Sequence, residues 1–120
     1  MNDHTRRAVA YIAGKISANA QATSVYDYQA SQHFSFSGDA DGGSVNVYDY
    51  SIGKHITGSG QGGDLSLYHY GNSKHLNLEV SGSGISGYDY QSGKHFGGSV
   101  SGNSISIYDY EHSRYFNYSV

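Results

Sequence analysis

From Ser44 to Tyr50 apolar and polar residues alternate, so an extended strand here carries Val45, Val47 and Asp49 on one face and Asn46, Tyr48 and Tyr50 on the other. The same period of two recurs at Leu65 and Leu67 and at Ile105 and Ile107. Each run ends in one motif: Tyr26-Asp27-Tyr28, Tyr48-Asp49-Tyr50, Tyr68-His69-Tyr70, Tyr88-Asp89-Tyr90 and Tyr108-Asp109-Tyr110. Successive motifs start 22, 20, 20 and 20 residues apart. A further ring follows each motif at fixed spacing (His33, His55, His75, His95, Tyr115), and behind it an apolar residue (Phe34, Ile56, Leu76, Phe96, Phe116). Five tandem units result, each with a forward strand and a return strand.

The link in the second unit reads Ser51-Ile52-Gly53-Lys54, and its third place holds Gly or Ser in every unit (Ser31, Gly53, Ser73, Gly93, Ser113). A residue able to take positive φ there fits a three-residue hairpin loop, which would pair Asp49 with His55 on one face. Turn signals at Gly42-Gly43, Gly62-Gly63 and Gly102-Asn103 send the chain back again. The predicted fold is all-β with one short N-terminal helix, five β-hairpins forming a ten-stranded antiparallel meander as a curled sheet or barrel. The alternative is a β-solenoid with one coil per unit. In a solenoid, equivalent Asp and Lys residues would stack about 4.8 Å apart in like-charge columns, which favours the meander. Ten strands would span roughly 48 Å, a width that calls for closure, layering or cover. In unit length and number the array is similar to the curlin repeats of bacterial amyloid fibres. The Gln and Asn positions of that family are absent, and no family is assigned on this likeness.

Ahead of the repeats, Ala8, Val9, Ile12, Ala13 and Ile16 form one helical stripe, which predicts a helix over 4–17, capped by Asp3 or Thr5, packing on the sheet. Arg6-Arg7 before an apolar run, with Ala18-Asn19-Ala20 after it, also gives a weak signal-peptide-like pattern. Residues 1–120 read as a single domain, with the five-unit β region over 22–120.

Composition sharpens this picture. The hydrophobic fraction is 37%, with 17 Gly but 13 Tyr and 4 Phe, so tyrosine supplies much of the packing area. A net charge of -3 with no basic run argues against nucleic acid. Zero cysteines exclude thiolate chemistry and disulfides and point to a cytoplasmic rather than an exported protein. No segment reaches transmembrane length.

The candidate chemistry lies in the repeats. Tyr48, Asp49, Tyr50, Tyr68, Tyr70, Tyr88, Asp89, Tyr90, Tyr108, Asp109 and Tyr110 form a candidate binding surface, in which aromatic faces stack on a ligand and carboxylates accept its hydroxyls. No metal site is expected from a histidine column spread along a sheet, though His69 and His75 facing each other would be the first place to look. No nucleophile motif, phosphate loop or singular carboxylate pair stands out, so neither catalytic residues nor a cofactor are expected. The expected function is protein binding or self-assembly through a Tyr-rich surface, with a protein partner or a homo-oligomer. The alternative is a lectin-like carbohydrate-binding module.

Overall fold

The computed structural model describes residues 1–120. It opens with helix α1 (Asp3–Ala18) and continues through β1 (Ser24–Asp27), β2 (Gln32–Ala40), β3 (Ser44–Asp49), β4 (Lys54–Gln61), β5 (Asp64–His69), β6 (Lys74–Ser81), β7 (Gly84–Asp89), β8 (Lys94–Ser101), β9 (Ser104–Asp109) and β10 (Arg114–Ser119). Every strand pairs antiparallel with its neighbours in sequence, and β1 closes on β10 into a ten-stranded barrel. The meander is therefore the architecture, and closure leaves no free sheet edge.

Positive φ falls where the units require it. Ser31, Gly53, Ser73, Gly93 and Ser113 all lie between 52° and 70° at the ends of the links. The loop length differs from expectation: the register pairs Asp49 with Lys54 and Tyr48 with His55, so Tyr50 to Gly53 form a four-residue loop. The expected Asp49–His55 pair is thus corrected, since Asp49 turns inward and His55 outward. The reason is local. Asp49 Oδ1 accepts from the Ser51 amide at 2.9 Å and the Ser51 hydroxyl at 2.7 Å, an Asx-turn that bends the chain one residue earlier. At the other end of the barrel, Gly62 and Gly63 take φ of 60° and 89°, as a tight two-residue hairpin turn demands.

Helix α1 does not lie on the sheet. It runs inside the barrel, touching strands around its circumference, and Ala8, Val9, Ala10, Tyr11, Ile12 and Ala13 are all essentially inaccessible. Ile16, expected in the same stripe, is half-buried near the helix end. Ten strands enclose more space than side chains alone fill, so the interior needs an occupant. At each of four strand pairs that join successive hairpins, a glycine stands opposite an aliphatic residue: Gly38 and Val47, Gly58 and Leu67, Gly87 and Leu78, Gly98 and Ile107. The helix carries small residues as well. A Cβ on Gly14 would come within 2.9 Å of Val120. The N-cap is Asn2, whose side chain accepts from the Thr5 amide, in place of the expected Asp3 or Thr5. Asn19 ends the helix in the left-handed conformation at φ 50°, its amide donating to the Gly14 carbonyl. No helix is long and apolar enough to cross a membrane.

Candidate functional site: outer aromatic grooves and an inner polar ring

The tyrosine motif splits across the barrel wall. Its middle residue points in, and Asp27, Asp49, His69, Asp89 and Asp109 are each no more than 4% exposed, forming a ring around the N-terminal end of α1. Placing Asp49, Asp89 and Asp109 on a binding surface is therefore corrected: no ligand on the outer wall reaches them. Their work is structural. Asp27, Asp49, Asp89 and Asp109 accept loop amides, and His69 does the same through Nδ1, which takes the Gly71 amide at 3.0 Å.

The helix brings cations to this ring. Arg6 Nη1 donates to Asp109 Oδ2 at 2.8 Å, the Met1 amino group lies 3.2 Å from the same carboxylate, and Arg7 sits 3.6 Å from Asp27. The Arg6 and Arg7 guanidinium groups also cover the Phe116 and Phe34 rings, each at 3.7 Å. Burial pushes the Asp109 carboxyl up, but the Met1 amino group, the Glu111 amide and Arg6 together outweigh it and hold the group below the ordinary carboxylate range. His69 faces the His4 ring at 5.0 Å, and burial, reinforced by His4, lowers its pKa to about 4. Asp49 Oδ2 and His69 Nε2 are buried without a partner.

His69 and His75 do not face each other, because Tyr68 is the register partner of His75 and His69 lies on the opposite face of the wall. One group of potential ligands converges elsewhere: Asp109, Glu111 and His112 have donor atoms within 4.8 Å of one another. Protein cations already engage two of these carboxylates, since Asp109 binds Arg6 and Glu111 binds the Met1 amino group. That arrangement is an ion-pair cluster.

The two tyrosines of each motif point out. Tyr48 sits between Tyr50 and His55 with ring centroids 4.9 and 4.7 Å away, both edge to face. The same three-ring cluster recurs as Tyr26, Tyr28 and His33, then Tyr68, Tyr70 and His75, then Tyr88, Tyr90 and His95, and finally Tyr108, Tyr110 and Tyr115. The first tyrosine is half-buried under its neighbours, whereas Tyr28, Tyr50, Tyr70, Tyr90 and Tyr110 are each more than half exposed.

The exposed ring of one unit also faces the return strand of the unit before it, because the Tyr70 amide donates to the His55 carbonyl, Tyr90 to His75 and Tyr110 to His95. A groove opens at each of these junctions. Gly53, Lys54, His55, Thr57 and Tyr70 line one of about 400 Å³. Ser73, Lys74, His75, Asn77 and Tyr90 line its counterpart of about 350 Å³. Gly93, Lys94, His95, Gly97 and Tyr110 belong to the largest, about 910 Å³, which also takes in Tyr88. The same five positions thus build three successive grooves. Spacing within one unit reveals the tyrosines, but the groove's partner residues come from two units and become visible only with the register.

Fold and site together define a helix-plugged, ten-stranded antiparallel barrel with repeated aromatic grooves on its outer wall. Comparisons with protein-family models, curated proteins and solved structures give no match.

Proposed function

We propose that the protein is a non-enzymatic, multivalent carbohydrate-binding module that holds sugar in the tyrosine-lined grooves around its barrel. The recurrence of one five-position lining in three consecutive grooves carries this reading. An exposed phenol ring offers an apolar face to the C–H side of a sugar, and the flanking Lys, His, Thr and Asn groups donate to or accept from its hydroxyls. Edge-to-face contact with the neighbouring tyrosine holds each ring in place, which reduces the entropy lost on binding. Single grooves this open bind weakly, and several on one body raise the avidity for a polymer.

A second reading, contact with a protein partner or another copy, is favoured by six tyrosines (the five above and Tyr115) between 51% and 60% exposed. Rings of this kind are enriched in protein interfaces. Screening against a glycan array, alongside light scattering of the protein alone, separates the two. Sugar binding by a monomer supports the first reading, and self-association without any glycan signal replaces it with the second.

A further inference from the structure

Charge on the outer wall is divided between the two ends of the barrel. Lys54, Lys74, Lys94 and Arg114 open β4, β6, β8 and β10, and so stand together at the end where the tyrosine motifs lie. Asp39, Asp41, Asp64 and Glu79 stand at the opposite end, in or beside the short turns. Two acidic side chains do reach the basic end, but both are engaged: Asp3 pairs with Arg6 and Glu111 with the Met1 amino group. The inward aspartates are buried within the wall. Asp27 and Asp109 meet Arg7 and Arg6, and Asp89 lies 4.0 Å from the Met1 amino group. Asp49 has no cation but is shut off from the outer surface. None of the four outer cations takes part in an ion pair. A chain with a net charge of -3 therefore presents an unneutralised basic girdle at one end.

Three of these cations are groove residues. Lys54 shares its groove with Tyr70, Lys74 with Tyr90 and Lys94 with Tyr110. The largest groove also extends toward Asp64 and Glu79, which repel negative charge from that side and leave the Lys94 end for it. We infer that the ligand is an acidic polysaccharide, with a sugar ring on each tyrosine and its carboxylate or sulfate on the adjoining lysine. This rests on the carbohydrate reading above and specifies its ligand class. Successive grooves are one hairpin apart, about 9.6 Å around the wall, so one acidic chain following the girdle meets several of them.

The test is isothermal titration of the full-length protein with an oligogalacturonate and with a neutral cello-oligosaccharide of equal length, at low and at raised salt. The expected result is binding of the uronate at least tenfold tighter than the neutral chain, weakening as salt rises. Two variants locate it. Lys54→Gln/Lys74→Gln/Lys94→Gln should lose tenfold or more in uronate affinity together with most of the salt dependence. Tyr70→Ser/Tyr90→Ser/Tyr110→Ser should lose tenfold or more with the charge intact. All six positions are exposed, and circular dichroism melting verifies that both variants fold. Equal, salt-insensitive binding of both sugars overturns the acidic ligand and leaves the carbohydrate reading standing. Binding of neither overturns both. Uronate affinity unchanged by the tyrosine variant, or matched by duplex DNA, reduces the girdle to simple ion exchange and overturns the inference.

Discussion

Arg6 and Asp109 form an ion pair at 2.8 Å that joins the helix to the ninth strand across 103 residues of chain, with both side chains at 3% exposure or less. It holds the helix at one depth in the barrel. Removing one member leaves the other charged and buried, so Arg6→Met should destabilise by roughly 3–5 kcal/mol in chemical unfolding. Because the folded pKa of Asp109 is depressed, its contribution is fully present above the unfolded carboxylate range and is lost as pH falls through the folded value. Acid unfolding below about pH 4 should therefore be shallower in Asp109→Asn than in the parent.

Asp49 occupies the equivalent place in the second hairpin but lacks a cation, and its Oδ2 has no partner. Asn at this position keeps the oxygen that accepts from Ser51 and removes a buried charge. Asp49→Asn should lie within about 1 kcal/mol of the parent, in either direction, whereas Asp109→Asn should cost several times more. Equal losses in paired denaturant titrations would show that the ring works through its turns alone.

His69 gives the ring a second pH response. Its folded pKa of about 4 lies below the ordinary imidazole value of 6.5, so the unfolded chain binds a proton the native chain refuses. Stability from this group is complete above pH 6.5 and declines as pH falls toward 4. His69→Asp restores the residue found in the other four units and puts a carboxylate beside His4. The melting temperature of this variant should fall less between pH 6.5 and 4.5 than that of the parent. A parallel decline in both proteins would assign the acid sensitivity to another group.

The turn places were legible in the sequence, because a conformation with positive φ restricts residue choice and Gly or Ser stood at one place in all five units. Loop length was not, since the Asx-turn made by Asp49 depends on which way its side chain faces. Alternation separated Val45, Val47 and Asp49 from Tyr48 and Tyr50, but which face points inward was not legible, and the grouping of Asp49, Asp89 and Asp109 with the tyrosines fails because all three are buried. What alternation does not encode is closure. A period of two describes one strand, while the interior volume depends on all ten together, and so the helix stripe suggested a surface-packed element. Small residues on the helix were the available signal, since Ala8, Ala10, Ala13 and Gly14 are all buried.

Serine at the turn place pays a strain cost that glycine avoids. Ser73 holds φ 54° where Gly53 holds 63°. Ser73→Gly should be neutral or stabilising by up to about 1 kcal/mol, the gain in left-handed backbone being partly offset by a more flexible unfolded chain. Gly53→Val should cost about 1–2 kcal/mol, since a β-branched residue tolerates this region least. Thermal melts of the two variants should move apart by several degrees.

The glycines of the wall make the most demanding prediction, because a Cβ added at them meets the backbone of the neighbouring strand. A Cβ on Gly58 would lie 2.6 Å from Leu67 Cδ2 and 2.2 Å from the Ser66 carbonyl oxygen, and one on Gly98 would lie 1.9 Å from the Ser106 carbonyl oxygen. Neither backbone contact can be relieved by a side-chain rotation. Gly58→Val should therefore destabilise by more than the roughly 1–3 kcal/mol usual for overpacking. Gly62 takes φ 60° in a turn with nothing within 4 Å, so Gly62→Ala incurs backbone strain alone, about 1–2 kcal/mol, and separates strain from crowding. If crowding against the helix is part of the effect, Gly58→Val should also increase protease cleavage within residues 3–18 under native conditions, while Gly62→Ala should not. Equal losses from both substitutions, with no change in cleavage, would mean that the barrel wall adjusts to the added side chain.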